Sequence, residues 1–263
     1  MPDRNPFVEL VEIMARLRAE DGCPWDRQQT HTSLKPYLLE EAYEVLEAID
    51  GEDDGEFCKE LGDVLLQVVF HAQIAREEDR FSIEEVCQAI VDKLIRRHPH
   101  VFGDTQVAGA GEVLTNWERI KQAERREEAR PASILDGVPG QLPALLRAQR
   151  VQAKAARVGF DWRDIRGPLD KVEEEFAELR QACKSGNIPH LEEEFGDLLF
   201  ALVNAGRFLE LCSEDALRLA IDKFEGRFRA VETHFAACGK DLEEASLEEM
   251  DHAWDQIKEA ENK

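Results

Sequence analysis

The chain repeats itself, and that repeat limits its fold more than any other feature. Shifted by 134 residues, the separation of Glu41 and Glu175, the sequence falls on itself: Glu41, Glu44, Glu60 and Asp63 meet Glu175, Glu178, Glu194 and Asp197. The apolar positions follow, since Leu61, Val64, Leu65 and Val68 meet Phe195, Leu198, Leu199 and Leu202. "ELGDVLLQVV" and "EFGDLLFALV" are therefore one segment written twice. With 56 acids in 263 residues, chance alone supplies about a dozen acid-x-x-acid pairs, so a single pair carries no weight. A shared register does. Other parts repeat with small shifts. "GCPWD" (22–26) precedes the first acid pair as "VGFDW" (158–162) precedes the second, "DKLIRRHP" (92–99) resembles "DKFEGRFR" (222–229), and "NWERIK" (116–121) resembles "AWDQIK" (253–258). Between the halves, "RPASILDGVPGQLP" (130–143) has the Pro and Gly that end helices and serve a linker. The expected division is 1–134 and 135–263, a duplicated domain.

The repeated unit reads as helical. The chain is rich in Glu, Ala, Leu and Arg and holds only two Tyr, so the residues that suit strands are thin. Leu61, Val64, Leu65 and Val68 follow the i, i+3, i+4, i+7 stripe of an amphipathic helix whose apolar face should be buried. Gly51 and Gly55 in the first copy, and Gly186 and Pro189 in the second, break the chain between the acid pairs. Each copy is expected to hold a helical hairpin, then a helix around 82–97 or 214–236. A loop is expected at 98–111, and a last helix carries each Trp-x-x-x-Lys, at Trp117 and Trp254. The expected fold class is all-α, with two tandem four-helix-bundle-like domains.

A net charge of −23 argues against a nucleic-acid polymer as partner, since that needs a basic surface. It does not argue against a nucleotide, because divalent metals carry the neutralising charge. The six cysteines stand far apart with no C-x-x-C pair and read as reduced thiols. The first 22 residues mix acids through their apolar positions, unlike a signal peptide, and no run approaches a membrane span. The expectation is a cytoplasmic, soluble protein.

Acids at i and i+3 share one helix face, about 4.5 Å apart along the axis. Two such helices packed antiparallel point four carboxylates at one small volume. Four like charges there are unfavourable unless several are protonated or a cation neutralises them. Carboxylate oxygens without thiolate or imidazole suit Mg²⁺ or Mn²⁺. Gly62 and Gly196, inside the second acid pair of each copy, permit close helix approach or only relieve packing. The plainer alternative is a solvated acidic stripe. A di-iron bundle needs two Glu-x-x-His motifs, and only Glu249–His252 fits.

Lys223 and Arg227 lie four apart on an expected helix, as do Lys93 and Arg97, a spacing that grips a polyphosphate or simply decorates a surface. Trp254 and Lys258 on the last helix face a base or ribose, or else Trp254 is core.

E-E-x-x-E (Glu174, Glu175, Glu178) followed by E-x-x-D (Glu194, Asp197), repeated in tandem with "GCPWD" and "RRHPHVF", resembles the MazG nucleoside triphosphate pyrophosphohydrolases from about residue 7 to 258. The resemblance implies two MazG-type all-α domains, related to the dimeric dUTPases and phosphoribosyl-ATP pyrophosphohydrolases, of which the C-terminal one is catalytic. It implies Mg²⁺-dependent splitting of ribo- and deoxynucleoside triphosphates into monophosphate and pyrophosphate. The implied metal ligands are Glu175, Glu178, Glu194 and Asp197. Lys171, Glu174, Glu193, Lys223, Arg227, Trp254 and Lys258 would surround the nucleotide. Where the family tends to have Lys three residues before the E-x-E-x-x-D acids, this chain has His190 as the phosphate contact. Glu174 and Glu193 are the candidates for general base. Glu41, Glu44, Glu60 and Asp63 would form a second metal site, in a domain that is structural, regulatory or differently specific. Under the shift, Lys171 becomes Tyr37 and Glu193 becomes Lys59, which favours the C-terminal copy. The alternatives are narrow specificity for a deoxypyrimidine or damaged nucleotide, and a non-enzymatic helical interaction module. Short helical hairpins expose broad apolar faces, so a homodimer is expected.

Overall fold

In the computed structural model, residues 5–261 are described apart from 52, 110, 114, 115, 118, 121–123 and 125–132. Every regular element among them is a helix, in line with the composition. The chain divides into two compact units, Met1–Ala129 and Arg130–Lys263. Of the expected linker, residues 130–132 lie outside the described residues, and 133–143 hold turns but no helix.

The first unit runs through α1 (Pro6–Arg18), α2 (Pro24–Gln28), α3 (Lys35–Asp50), α4 (Asp54–Glu77), α5 (Ile83–Arg97) and α6 (Pro99–Phe102). Further helical residues, Trp117 and Glu124 among them, lie between 111 and 124. Local chemistry sets the boundaries. The Asn5 side chain accepts from Phe7 N at 3.0 Å, while Pro6 sits in the first turn, where its missing N–H costs nothing. Asp53 caps α4 by accepting from Gly55 N at 2.8 Å and Glu56 N at 3.2 Å. A reciprocal capping box between Ser82 and Glu85 starts α5. The core gathers Met14, Leu34, Val69, Phe70, Ala72, Ile74 and Ile83, each all but sealed from water. Arg18 ties α1 to α4 by an ion pair with Glu77 at 2.7 Å.

The second unit runs through α7 (Ala144–Ala156), α8 (Arg166–Ser185), α9 (Ile188–Phe208), α10 (Ser213–Ala237), a 3₁₀ turn (Leu242–Glu244) and α11 (Leu247–Glu261). Only Gly186 and Asn187 separate α8 from α9. Gly186 takes the left-handed conformation (φ 68°) that a residue with a Cβ resists, and Asn187 then caps α9. So short a turn makes α8 and α9 an antiparallel hairpin. Helix α7 crosses α9, with Gln152 Nε2 donating to the Phe200 carbonyl at 2.8 Å. Val231, Phe235 and Ala253 join α10 to α11, supported by Met250, Trp254 and Ile257.

Three expectations need correction. The segment 98–111 is not wholly loop, because Pro99 opens the short α6. Helix α3 ends at Asp50 and α4 begins at Asp54, so Gly55 lies inside the first turn of α4. Most important, the apolar stripe is not buried within the chain. Leu61, Leu65 and Val68 are 47, 39 and 38% exposed, and Phe195, Leu199 and Leu202 are 54, 39 and 47% exposed. The buried residues of α4 lie at 67–75 and those of α9 at 201–205, where α1 and α7 reach them. Nearer its start, each long helix meets chiefly its hairpin partner. Within one chain a Cβ at Gly62 or Gly196 would meet nothing within 4 Å.

Candidate active site

The hairpin α8–α9 builds a cluster of acids from both of its arms. Lys171, Glu174, Glu175 and Glu178 come from α8, and His190, Glu193, Glu194 and Asp197 from α9. Their spacings of three and four residues put them on one face of each helix, so antiparallel packing makes the faces meet. Glu175, Glu194 and Asp197 each offer a carboxylate oxygen, all within 4.8 Å of one another. Glu175 is buried, Glu194 half-buried and Asp197 exposed, a graded opening from core to solvent.

Such a cluster is costly without positive charge, and its surroundings register that cost. Loss of water pushes the Glu178 carboxyl above its ordinary value, reinforced by the charges of Glu175, Glu194 and Glu174. Lys171 offsets part of the charge. Its Nζ lies 2.6 Å from Glu175 and 3.0 Å from Glu174, and these bonds, Glu175 first, hold its pKa well above the ordinary lysine range. His190 Nδ1 stands 3.4 Å from Glu194 and 3.9 Å from Glu193. Here His190, expected at a phosphate, faces the carboxylates themselves.

The first unit carries the same geometry in a different setting. Glu41, Glu60 and Asp63 also bring oxygens within 4.8 Å of one another. Burial first, then Asp63 and Glu44, raises the Glu41 carboxyl, and burial with Glu44 raises Glu60. Tyr37 stands where the second unit has Lys171, turned edge-on to Trp25 with centroids 5.9 Å apart. Lys59, at the position of Glu193, pairs with Glu56 at 2.6 Å.

The cations and aromatics of α10 and α11 form a second cluster. The Arg227 guanidinium lies 5.8 Å from the Trp254 ring and pairs with Glu261 at 2.7 Å. Phe224 packs on Trp254 at 5.3 Å, and Trp254 is half-buried against the α10–α11 core. Lys223 and Lys258 are exposed on the same two helices. The ion pairs of Arg227 thus run between α10 and α11, whereas those of Lys171 and His190 run to the carboxylates. Glu261 escaped the sequence reading, although Trp254 and Glu261 stand seven apart as Trp117 and Glu124 do.

Hard oxygen donors on a helical hairpin, raised carboxyl pKa values and the chemistry of the donor set fit a hard divalent cation in both units. The molecule is thus an all-α protein built on a duplicated, carboxylate-bearing hairpin. It belongs to the MazG nucleotide pyrophosphohydrolase family, whose domain matches residues 29–102 and 168–231. The chain is 49% identical over 257 residues to the nucleoside triphosphate pyrophosphohydrolase of Escherichia coli, covering 97% of each chain. It is 50% identical over 252 residues to the nucleoside triphosphate pyrophosphohydrolase/pyrophosphatase MazG of Thermotoga maritima, covering 96% of this chain and 95% of that one. It also matches an uncharacterized protein, YabN, of Bacillus subtilis at 48% identity, over 98% of this chain and 53% of that one.

Proposed function

We propose that this chain is a nucleoside triphosphate pyrophosphohydrolase, the activity named for its full-length relatives, acting on ribo- and deoxynucleotides in the cytoplasm. The observation that carries this reading is the convergence of Glu175, Glu194 and Asp197 on one hairpin beside a buried-core boundary. Glu175, Glu178, Glu194 and Asp197 would hold Mg²⁺, with Mn²⁺ as the substitute. When bound, such an ion neutralises triphosphate charge and polarises the α-phosphoryl group.

The remaining work falls to side chains. A water oxygen bonds to the α-phosphorus as the bridging bond to the β-phosphate oxygen breaks, so monophosphate and pyrophosphate part. Its proton passes to a carboxylate outside the ligand set. Glu193 suits this role better than Glu174, since Lys171 holds Glu174 at 3.0 Å while His190 comes no nearer to Glu193 than 3.9 Å. Lys223 and Arg227 would hold the leaving phosphates, with Trp254 and Lys258 at the nucleoside. Lys171 orients Glu175 and Glu174. The second unit is proposed as the catalytic one, because the first has Tyr37 and Lys59 in place of Lys171 and Glu193. The −23 net charge supports free nucleotides rather than a nucleic-acid polymer as partner.

The test follows phosphorus products from ATP and dCTP with Mg²⁺ for the wild type, Glu175→Ala and Glu41→Ala. Pyrophosphate and monophosphate should appear, fall at least roughly 100-fold in Glu175→Ala and persist in Glu41→Ala. No pyrophosphate from the wild type would overturn the reading. Equal loss in both variants would remove the assignment to the second unit.

A further inference from the structure

The α10–α11 cluster contains a part that lies outside the acid-bearing hairpins. We propose that Glu261 is a positioning residue for the nucleotide site, fixing the guanidinium of Arg227 over Trp254 before substrate arrives. This rests on the reading of Arg227 and Trp254 as nucleotide contacts given above.

Oε2 of Glu261 accepts from Arg227 Nε at 2.8 Å and lies 2.7 Å from Nη2, so one oxygen spans one edge of the guanidinium. An arginine fork has a second edge, Nη1 with Nη2, which suits a phosphate. The ring of Trp254 lies under the same guanidinium at 5.8 Å and is itself packed on Phe224 and the core. Trp254 and Glu261 are seven residues apart on α11, two turns along one face. One helix thus supplies both the floor and the anchor for an arginine that comes from another. The Arg227 side chain is 16% exposed and Glu261 46%. Because its carboxylate end stays in water, the pair adds only modestly to stability. Its effect falls on geometry instead, because an anchored arginine loses less freedom when phosphate binds.

The first unit, a duplicate of the second, keeps this arrangement. Arg97 Nη2 bonds Glu124 at 2.6 Å, and its guanidinium lies 5.8 Å from the Trp117 ring. The segments read "WERIKQAE" and "WDQIKEAE", ending on Glu124 and Glu261. The arginine, the ring and the carboxylate have thus stayed together in both copies while residues between them diverged. In the first unit Arg96 shares the carboxylate as well, with Nε at 2.6 Å, so there the clamp is closed by a second cation.

Steady-state kinetics of the full chain with ATP and Mg²⁺ test the proposal, comparing the wild type with Glu261→Gln and Glu124→Gln. Glu261→Gln should raise KM roughly three- to ten-fold with kcat held within about two-fold. Glu124→Gln should leave KM unchanged. A variant that merely folded less well would lose apparent kcat in proportion to the missing folded protein and keep its KM. An unchanged KM in Glu261→Gln would overturn the positioning role. A lowered KM would overturn it too, since Glu261 would then be competing with phosphate for Arg227. An equal rise in Glu124→Gln would make the effect general to the fold and sink it. If wild-type protein yields no pyrophosphate at all, the parent reading fails and takes this one with it. An active wild type with unmoved KM isolates the failure to Glu261.

Discussion

Lys171 shows how one side chain sets the electrostatics of a carboxylate cluster. Its ammonium lies 2.6 Å from the buried Glu175, whereas the matching acid of the first unit, Glu41, faces Tyr37's position and has a raised carboxyl. Replacing Lys171 with Met would leave a buried carboxylate without its cation, the setting in which burial and neighbouring acids raise Glu41. A carboxyl whose folded pKa is raised contributes stability below its unfolded value, near 4.5, and loses it as pH rises through the folded one. The Lys171→Met deficit should therefore open above about pH 4.5 and reach about 1–3 kcal/mol at neutral pH. Melting curves in chelator at pH 4 and pH 8 check this, and Mg²⁺ should raise the variant's Tm more than the wild type's. An equal deficit at both pH values would assign the effect to packing of the lysine stem. The acids themselves were legible in the sequence because two copies in one register exclude chance. Glu261 was not, because its recurrence opposite Glu124 marks a shared position among 56 acids but does not say which arginine it holds.

At the scale of helices, the Glu124 clamp ties α5 to the helical residues that follow it in the first unit. Arg97, then Arg96, bonds the Glu124 carboxyl and holds its pKa down to about 2, against 4.5 unperturbed, despite the opposing effect of burial. A depressed carboxylate contributes stability above its unfolded pKa and loses it as pH falls through the folded one. The contribution should thus be whole above about pH 4.5, fade toward pH 2 and amount to at most about 3 kcal/mol. Urea unfolding of Glu124→Gln against wild type at pH 7 and at pH 2.5 measures it. A gap that persists undiminished in acid would refute the ion-pair account. Helices and their ends were readable because caps, Pro and Gly act locally, as Asp53, Ser82 and Gly186 do. Which face each helix buries was not. Periodicity places Leu61, Leu65 and Val68 on one side but is silent about what covers that side.

For the whole molecule, that uncovered side is the chief feature. On α8 and α9 alone, Phe176, Phe195, Phe200 and Leu202 are 51, 54, 47 and 47% exposed. Monomers seldom leave so many large apolar side chains on neighbouring helices, and water penalises each one. A second copy of the chain is the proposed cover, which makes each bundle a joint product of two chains. Light scattering should return twice the 30.0 kDa of one chain. A one-chain mass at micromolar concentration would overturn this. Among the described residues no helix is long and apolar enough to cross a membrane.

The two-residue turn at Gly186 and Asn187 also bears on the order in which the parts come together. Glu175 and Glu194 are 19 residues apart, while Arg227 and Trp254 stand on helices that follow later in the chain. Neighbours close on one another faster than distant segments do, and a chain leaves the ribosome from its N-terminus. The acids should therefore meet first and the helices proposed to grip phosphate should arrive last, so a half-made molecule would already hold its negative charge in place before its proposed nucleotide contacts exist.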